Sequence, residues 1–222
     1  MTSKTSFRLT LLAGALAVST ALTACAPLLL GGAILGGSMV AIDRRSSGAQ
    51  VDDQAIELKA INRVKEVIGD RGYVSITSYN RLALIVGEVP SEADKAAVEQ
   101  AVSRIDSVRS IVNELAVAPT SSFANHSNDA LLTSKVKASM VDAKDVQAQA
   151  FKVVTERGIV YLMGRVTERE ANRASDVARG INGVQKVVRV FEVVSEAELA
   201  GTQPTNPTNP PPAPAPAPAP VK

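Results

Sequence analysis

The middle of this sequence repeats itself, and that limits what the chain can fold into more than any other feature. Laid against itself at a period near 76 residues, Asp53, Ile56, Ala60 and Val64 pair with Asp129, Leu132, Val136 and Met140. Val74 to Ile76 then falls on Phe151 to Val153, and the run Leu82 to Val89 on Ile159 to Val166. Ile105 to Val108 matches Ile181 to Val184, and Ile111-Val112 matches Val187-Val188. A spacing kept this closely means that one small unit is built twice.

Each copy reads in the same order. A helix opens at a capping aspartate, Asp53 or Asp129, and carries apolar residues four apart, which makes one buried stripe. Two β-rich segments follow, Val74–Tyr79 with Leu82–Val86 and Phe151–Thr155 with Ile159–Met163. The short turns at Asn80-Arg81 and Glu156-Arg157-Gly158 mark hairpins. A second helix begins after Pro90-Ser91 or Val166-Thr167, reads one residue longer in the first copy, and presents Ala93, Ala97 and Ala101 or Ala171, Ala174 and Ala178. A last strand, Ile111–Val117 or Val187–Val194, closes the unit. The fold class is therefore α+β: two tandem α-β-β-α-β domains, each a three-stranded mixed sheet with two helices on one face. A right-handed crossover makes the last strand parallel to its neighbour. Aromatic residues are 3% of the chain and tryptophan is absent, so the cores are aliphatic. Units this small are marginal alone, and packing of one copy on the other is expected.

The ends are of a different kind. Lys4 and Arg8 precede an apolar stretch, Leu9 to Ala21, in the layout of a secretory signal. Its close, Leu22-Thr23-Ala24-Cys25, resembles the bacterial lipobox. That resemblance implies cleavage before Cys25, the chain's only cysteine, and acylation of its thiol and new amine. The uncharged run from Leu9 to Ile42 is also long enough to cross a bilayer. Against a span, Pro27 and the glycines 31, 32, 36 and 37 are poor helix formers, and acyl chains at ~0.8 kcal/mol per buried CH2 anchor a protein firmly. Ala26 follows the cysteine in place of the aspartate that marks inner-membrane retention in enteric bacteria, which implies the periplasmic face of the outer membrane. The expected division is a signal peptide at 1–24, a lipidated cysteine and glycine-rich apolar linker at 25–51, domains at 52–118 and 128–195, a linker at 119–127, and a Pro/Ala-rich disordered tail at 196–222. The tail, with proline at nearly every second position, reads as a solvated polyproline II spacer.

The stretch RGIVYLMGRVTEREANRASDVARGINGVQKVVRVFEV resembles a BON domain, and LALIVGEVPSEADKAAVEQAVSRIDSVRSIVNELAV is a looser copy. Ser107 stands where the family usually has glycine. With the lipobox, the chain resembles the dual BON-domain outer-membrane lipoproteins. The resemblance implies envelope maintenance and phospholipid binding, with no enzyme activity; the alternative is a structural adaptor that docks an outer-membrane assembly protein.

The residues themselves offer no catalytic constellation. His126, the only histidine, falls in the linker and reads as a solvated side chain with no cysteine partner, so neither a metal site nor a nucleophilic relay is expected. No cofactor motif is present. Glu168 and Glu170 sit at a helix start, where the dipole favours them. Nucleic-acid binding needs a basic domain with stacking aromatics, and neither copy has one. Charge is unevenly divided: residues 52–117 carry 8 basic and 11 acidic side chains, and residues 128–194 carry 11 and 8. The expected partner is anionic phospholipid, met by the basic second copy through Leu131, Lys135 and Lys137. Leu131 lies off the stripe of Leu132, Val136 and Met140, on the same flank as Lys135.

Overall fold

The computed structural model describes residues 43–202. The stretch expected to be a signal peptide, Cys25 and residues 203–222 lie outside the described residues; the expected tail begins as a short helix, Glu196–Thr202, because its first residues precede the prolines. The first domain comprises α1 (Ser47–Ile68), β1 (Tyr73–Tyr79), β2 (Leu82–Val89), α2 (Glu92–Ser103), β3 (Ser110–Asn113) and β4 (Ala116–Val117). The second comprises α3 (Phe123–Asp142), β5 (Phe151–Glu156), β6 (Ile159–Val166), α4 (Glu168–Arg179) and β7 (Lys186–Val193), followed by α5 (Glu196–Thr202). In each sheet the middle strand is antiparallel to the first and parallel to the last. The expected third strand of the first domain is split into β3 and β4, both on β2, whereas β7 runs unbroken along β6.

The helices start earlier than the apolar stripes do. Ser46 caps α1 and Ser122 caps α3, each accepting from the backbone N–H three residues on. Asp53 and Asp129 are not caps: they sit inside the helices, nearly fully buried. The second helices are equal at twelve residues, each opened by the expected Ser91 or Thr167, so Pro90 in the loop accounts for the extra residue of the first copy. Thr167 and Glu170 form a capping box.

Both hairpins turn in two residues with positive φ, Asn80 (50°) with Arg81 (68°) and Arg157 (54°) with Gly158 (71°), as a type I′ turn requires. The landmark glycines have a steric reason. A Cβ on Gly87 would lie 2.1 Å from the Tyr73 carbonyl oxygen, and one on Gly164 would lie 2.5 Å from that of Ala150.

Three apolar layers result. One lies between α1, α2 and the first sheet, built on Ile56, Ala60, Val64, Ile85 and Val98. Another lies between α3, α4 and the second sheet, built on Val136, Met140, Leu162 and Ala174. The third joins the two sheets through Tyr79, Leu84, Val86, Tyr161, Met163 and Val190. Burying six such side chains is worth on the order of 10 kcal/mol, as much as the whole stability of a small domain. The two domains therefore stabilise each other.

Polar ties reinforce that layer. Lys152 Nζ donates to Glu57 Oε1 at 2.7 Å and to the Ser78 carbonyl at 3.2 Å. Arg44, just ahead of α1, reaches into the second domain, where it donates to both oxygens of Glu170 at 2.7 and 2.8 Å and to Gln147 at 2.6 Å. These bonds, together with Thr167, hold the Glu170 carboxyl down to about 2.

Candidate functional site

The candidate surface starts from the buried aspartates. In the second domain, Asp129 accepts the backbone N–H groups of Arg157 and Gly158 at 2.7 and 2.8 Å. This ties α3 to the tip of the β5–β6 hairpin. Ahead of the tie lies an open groove of about 810 Å³. The 118–122 linker, α3, the Arg157–Ile159 turn and the Asn182–Gly183 turn form its walls.

Leu131 and Lys135 both line this groove, 40° apart on the helix, and Arg157 adds a second cation from the hairpin. Leu131 is 60% exposed, while Leu132 beside it is buried. At the start of α3, Phe123 is 87% exposed. Lys137 does not line the groove. It is about 200° round the helix from Lys135 and points to the other flank. Sequence reading missed Arg157, because only the hairpin brings it level with Lys135.

Behind the groove the structure overturns the solvated-linker reading of His126. The helix begins at Phe123, so His126 lies one turn before Asp129 on the same side. Its Nδ1 is 3.6 Å from Glu156 Oε1, and its ring packs on Tyr73 with centroids 4.2 Å apart. Glu156 is buried at the end of β5, and its Oε1 has no hydrogen-bond donor. Burial, and then the nearby carboxylates of Glu88 and Asp129, push the Glu156 carboxyl up to about 7. Glu88 is wholly buried; its Oε1 accepts from Ser121 Oγ at 2.5 Å, and Arg157 Nη1 stands 4.0 Å away. His126, Asp129 and Glu156 each offer an atom within 4.8 Å of the others, so donors of the kind that bind a metal ion do converge here. The sequence signal for this was only the i, i+3 spacing of His126 and Asp129.

Among the described residues, no helix is long and apolar enough to cross a membrane. The uncharged 9–42 run, to which the alternative of a span belongs, lies outside them.

Comparison with known proteins agrees with the repeat. The BON domain family profile matches residues 52–119 and again residues 128–195. The outer membrane lipoprotein DolP of Haemophilus influenzae is 38% identical over 173 residues, covering 77% of this chain and 89% of that protein. A 21 kDa hemolysin of Actinobacillus pleuropneumoniae is 30% identical over 155 residues, covering 69% and 80%. The osmotically-inducible protein Y of Escherichia coli is 26% identical over 159 residues, covering 68% and 77%.

Proposed function

The chain belongs to the family of dual BON-domain outer-membrane lipoproteins, and on that premise we propose that it is a non-enzymatic protein whose second domain binds anionic phospholipid in support of outer-membrane integrity. Acylated Cys25 is its anchor. The observation that carries the reading is the groove in which exposed Leu131 stands beside Lys135 and Arg157. An apolar tip flanked by cations suits the boundary between acyl chains and anionic headgroups, where each Lys or Arg contributes about 1 kcal/mol. Lys137, on the other flank, adds to the long-range attraction without touching the same headgroup.

The test is paired. In a fragment covering residues 43–202, Leu131→Glu removes about 2 kcal/mol of apolar contact and adds about 1 kcal/mol of repulsion. Partition onto phosphatidylglycerol vesicles should drop roughly a hundredfold, and the melting temperature should hold, since the change lies on the surface. Lys135→Glu should weaken partition less, in a salt-dependent way. Unchanged partition of Leu131→Glu places the lipid surface elsewhere. In cells, the full chain carrying Cys25→Ala should take up no labelled palmitate; normal labelling would sink the anchor.

A second reading, a structural adaptor for an outer-membrane assembly protein, is favoured by α1. Val51, Leu58 and Ile61 lie within 80° of one another on that helix and are 66%, 66% and 57% exposed. Vesicle binding indifferent to lipid charge, together with loss of function on Leu58→Glu, would favour it.

A further inference from the structure

We propose that His126, Asp129 and Glu156 are the ligands of a first-row divalent cation, of the zinc or manganese class, set behind the groove where the second domain meets the first.

Three observations carry this. The first is convergence: among the described residues these side chains form a three-donor cluster, with ligand atoms within 4.8 Å of one another. The His126 Nδ1 to Glu156 Oε1 separation of 3.6 Å is close to the roughly 3.3 Å between two ligands of a tetrahedral ion bound at 2.0–2.1 Å. Asp129 keeps its two backbone donors, because a carboxylate oxygen has lone pairs to spare.

The second is an unpartnered acceptor aimed inward. Glu156 is 6% exposed, and the Oε1 that faces the imidazole has no hydrogen-bond donor. Buried polar atoms are nearly always paired, and a bare carboxylate oxygen in such a place costs several kcal/mol.

The third is charge. Glu88, Asp129 and Glu156 are all buried at one junction, and the guanidinium nearest Glu88, that of Arg157, is part-exposed and only at the limit of ion pairing, at 4.0 Å. In the first domain the equivalent carboxylate, Asp53, has a cation beside it, Arg45 Nη1 at 2.8 Å, which it shares with Asp43. The repeat places uncharged Ser121 where Arg45 stands. A divalent ion supplies the missing positive charge. The imidazole nitrogen selects a first-row transition metal over calcium or magnesium, which prefer all-oxygen sites. Three protein ligands leave one position for water.

Bound there, the ion ties α3 to the end of β5, next to Tyr73 of the first domain. The test uses the full chain in detergent, stripped with chelator and titrated calorimetrically with zinc or manganese chloride alone. One equivalent should bind, the melting temperature should rise, and the imidazole NMR signals should move; His126 is the only histidine, so their assignment is unambiguous. His126→Ala and Glu156→Gln should each weaken binding at least tenfold, while Asp106→Asn, far exposed, should not. If His126→Ala fails to fold, the near-isosteric Glu156→Gln decides. The proposal is overturned if neither metal at millimolar concentration moves the imidazole signals, or if Glu156→Gln binds as tightly as the natural chain. Equal binding of magnesium or calcium with the imidazole unmoved also overturns it.

Discussion

The two domains share one backbone plan yet secure their hairpins with different chemistry. In the first, Asp53 accepts from the Asn80 and Arg81 N–H groups and from Ser78 Oγ, and pairs with Arg45. Arg45 also lies over the Tyr79 ring, 4.6 Å from its centroid, and Tyr79 belongs to the shared apolar layer. In the second, Asp129 accepts two backbone N–H groups, those of Arg157 and Gly158, and among the described residues no guanidinium forms an ion pair with it; the repeat counterparts of Gln50 and Tyr79 are His126 and Glu156. One copy uses the end of its hairpin to join the domains. The other leaves donors and charge there that the fold itself does not neutralise. Duplication thus keeps the clamp, which the fold needs, and frees its surroundings to change.

Removing the clamps breaks this contrast most directly. Asp53→Ala leaves Arg45 with Asp43 as its remaining carboxylate, strands a hydroxyl and two N–H groups, and should cost about 3–4 kcal/mol. Asp129→Ala in metal-free protein loses two N–H partners but relieves repulsion with Glu156, and should cost only about 1–2 kcal/mol. Urea unfolding midpoints measure both. Equal losses would mean that the two hairpins are held alike.

Arg44 tests whether the domains depend on each other. Arg44→Ala leaves buried Glu170 without its ion pair and should cost about 3 kcal/mol. The sign of the pH dependence follows from Glu170, held at about 2 against an ordinary 4.5. A lowered carboxyl stabilises the fold above its unfolded value and loses that contribution as pH falls toward the folded one. The gap between natural chain and variant should therefore be full at pH 6 and narrow between pH 4.5 and 2. A gap independent of pH would assign the loss to packing alone.

The smallest effect concerns the turn before the last strand. Ser107 holds φ at 72° where the second domain has Gly183 at 102°. Ser107→Gly should relieve left-handed strain and stabilise by about 0.5–1 kcal/mol, raising the melting temperature by about 2 °C. No change would mean that Ser107 meets the turn without strain.

The repeat, the strands and the apolar stripes were legible because they depend on spacing along one chain, which local sterics and burial enforce. The helix starts were not. Asp53 and Asp129 stand at the head of the stripe and look like caps, but Ser46 and Ser122 cap the helices two turns earlier, in stretches with no apolar period. That displacement hid the most informative residue: a histidine placed in a linker has no face, and one placed a turn before Asp129 has a definite neighbour. Leu131 and Lys135 were legible as one flank of a helix, whereas Lys137 was joined to them by proximity in sequence alone.

What the sequence determined by itself is therefore the unit, its number and the class of its elements, since hydrophobic period and turn chemistry act over a few residues. Only the tertiary structure decided which charges meet. Glu88, Asp129 and Glu156 are separated by 41 and 27 positions and share a junction because two sheets pack face to face over Tyr79, Tyr161 and Met163. Burial, which sequence spacing does not encode, is what turns those three ordinary carboxylates into a place where a cation belongs.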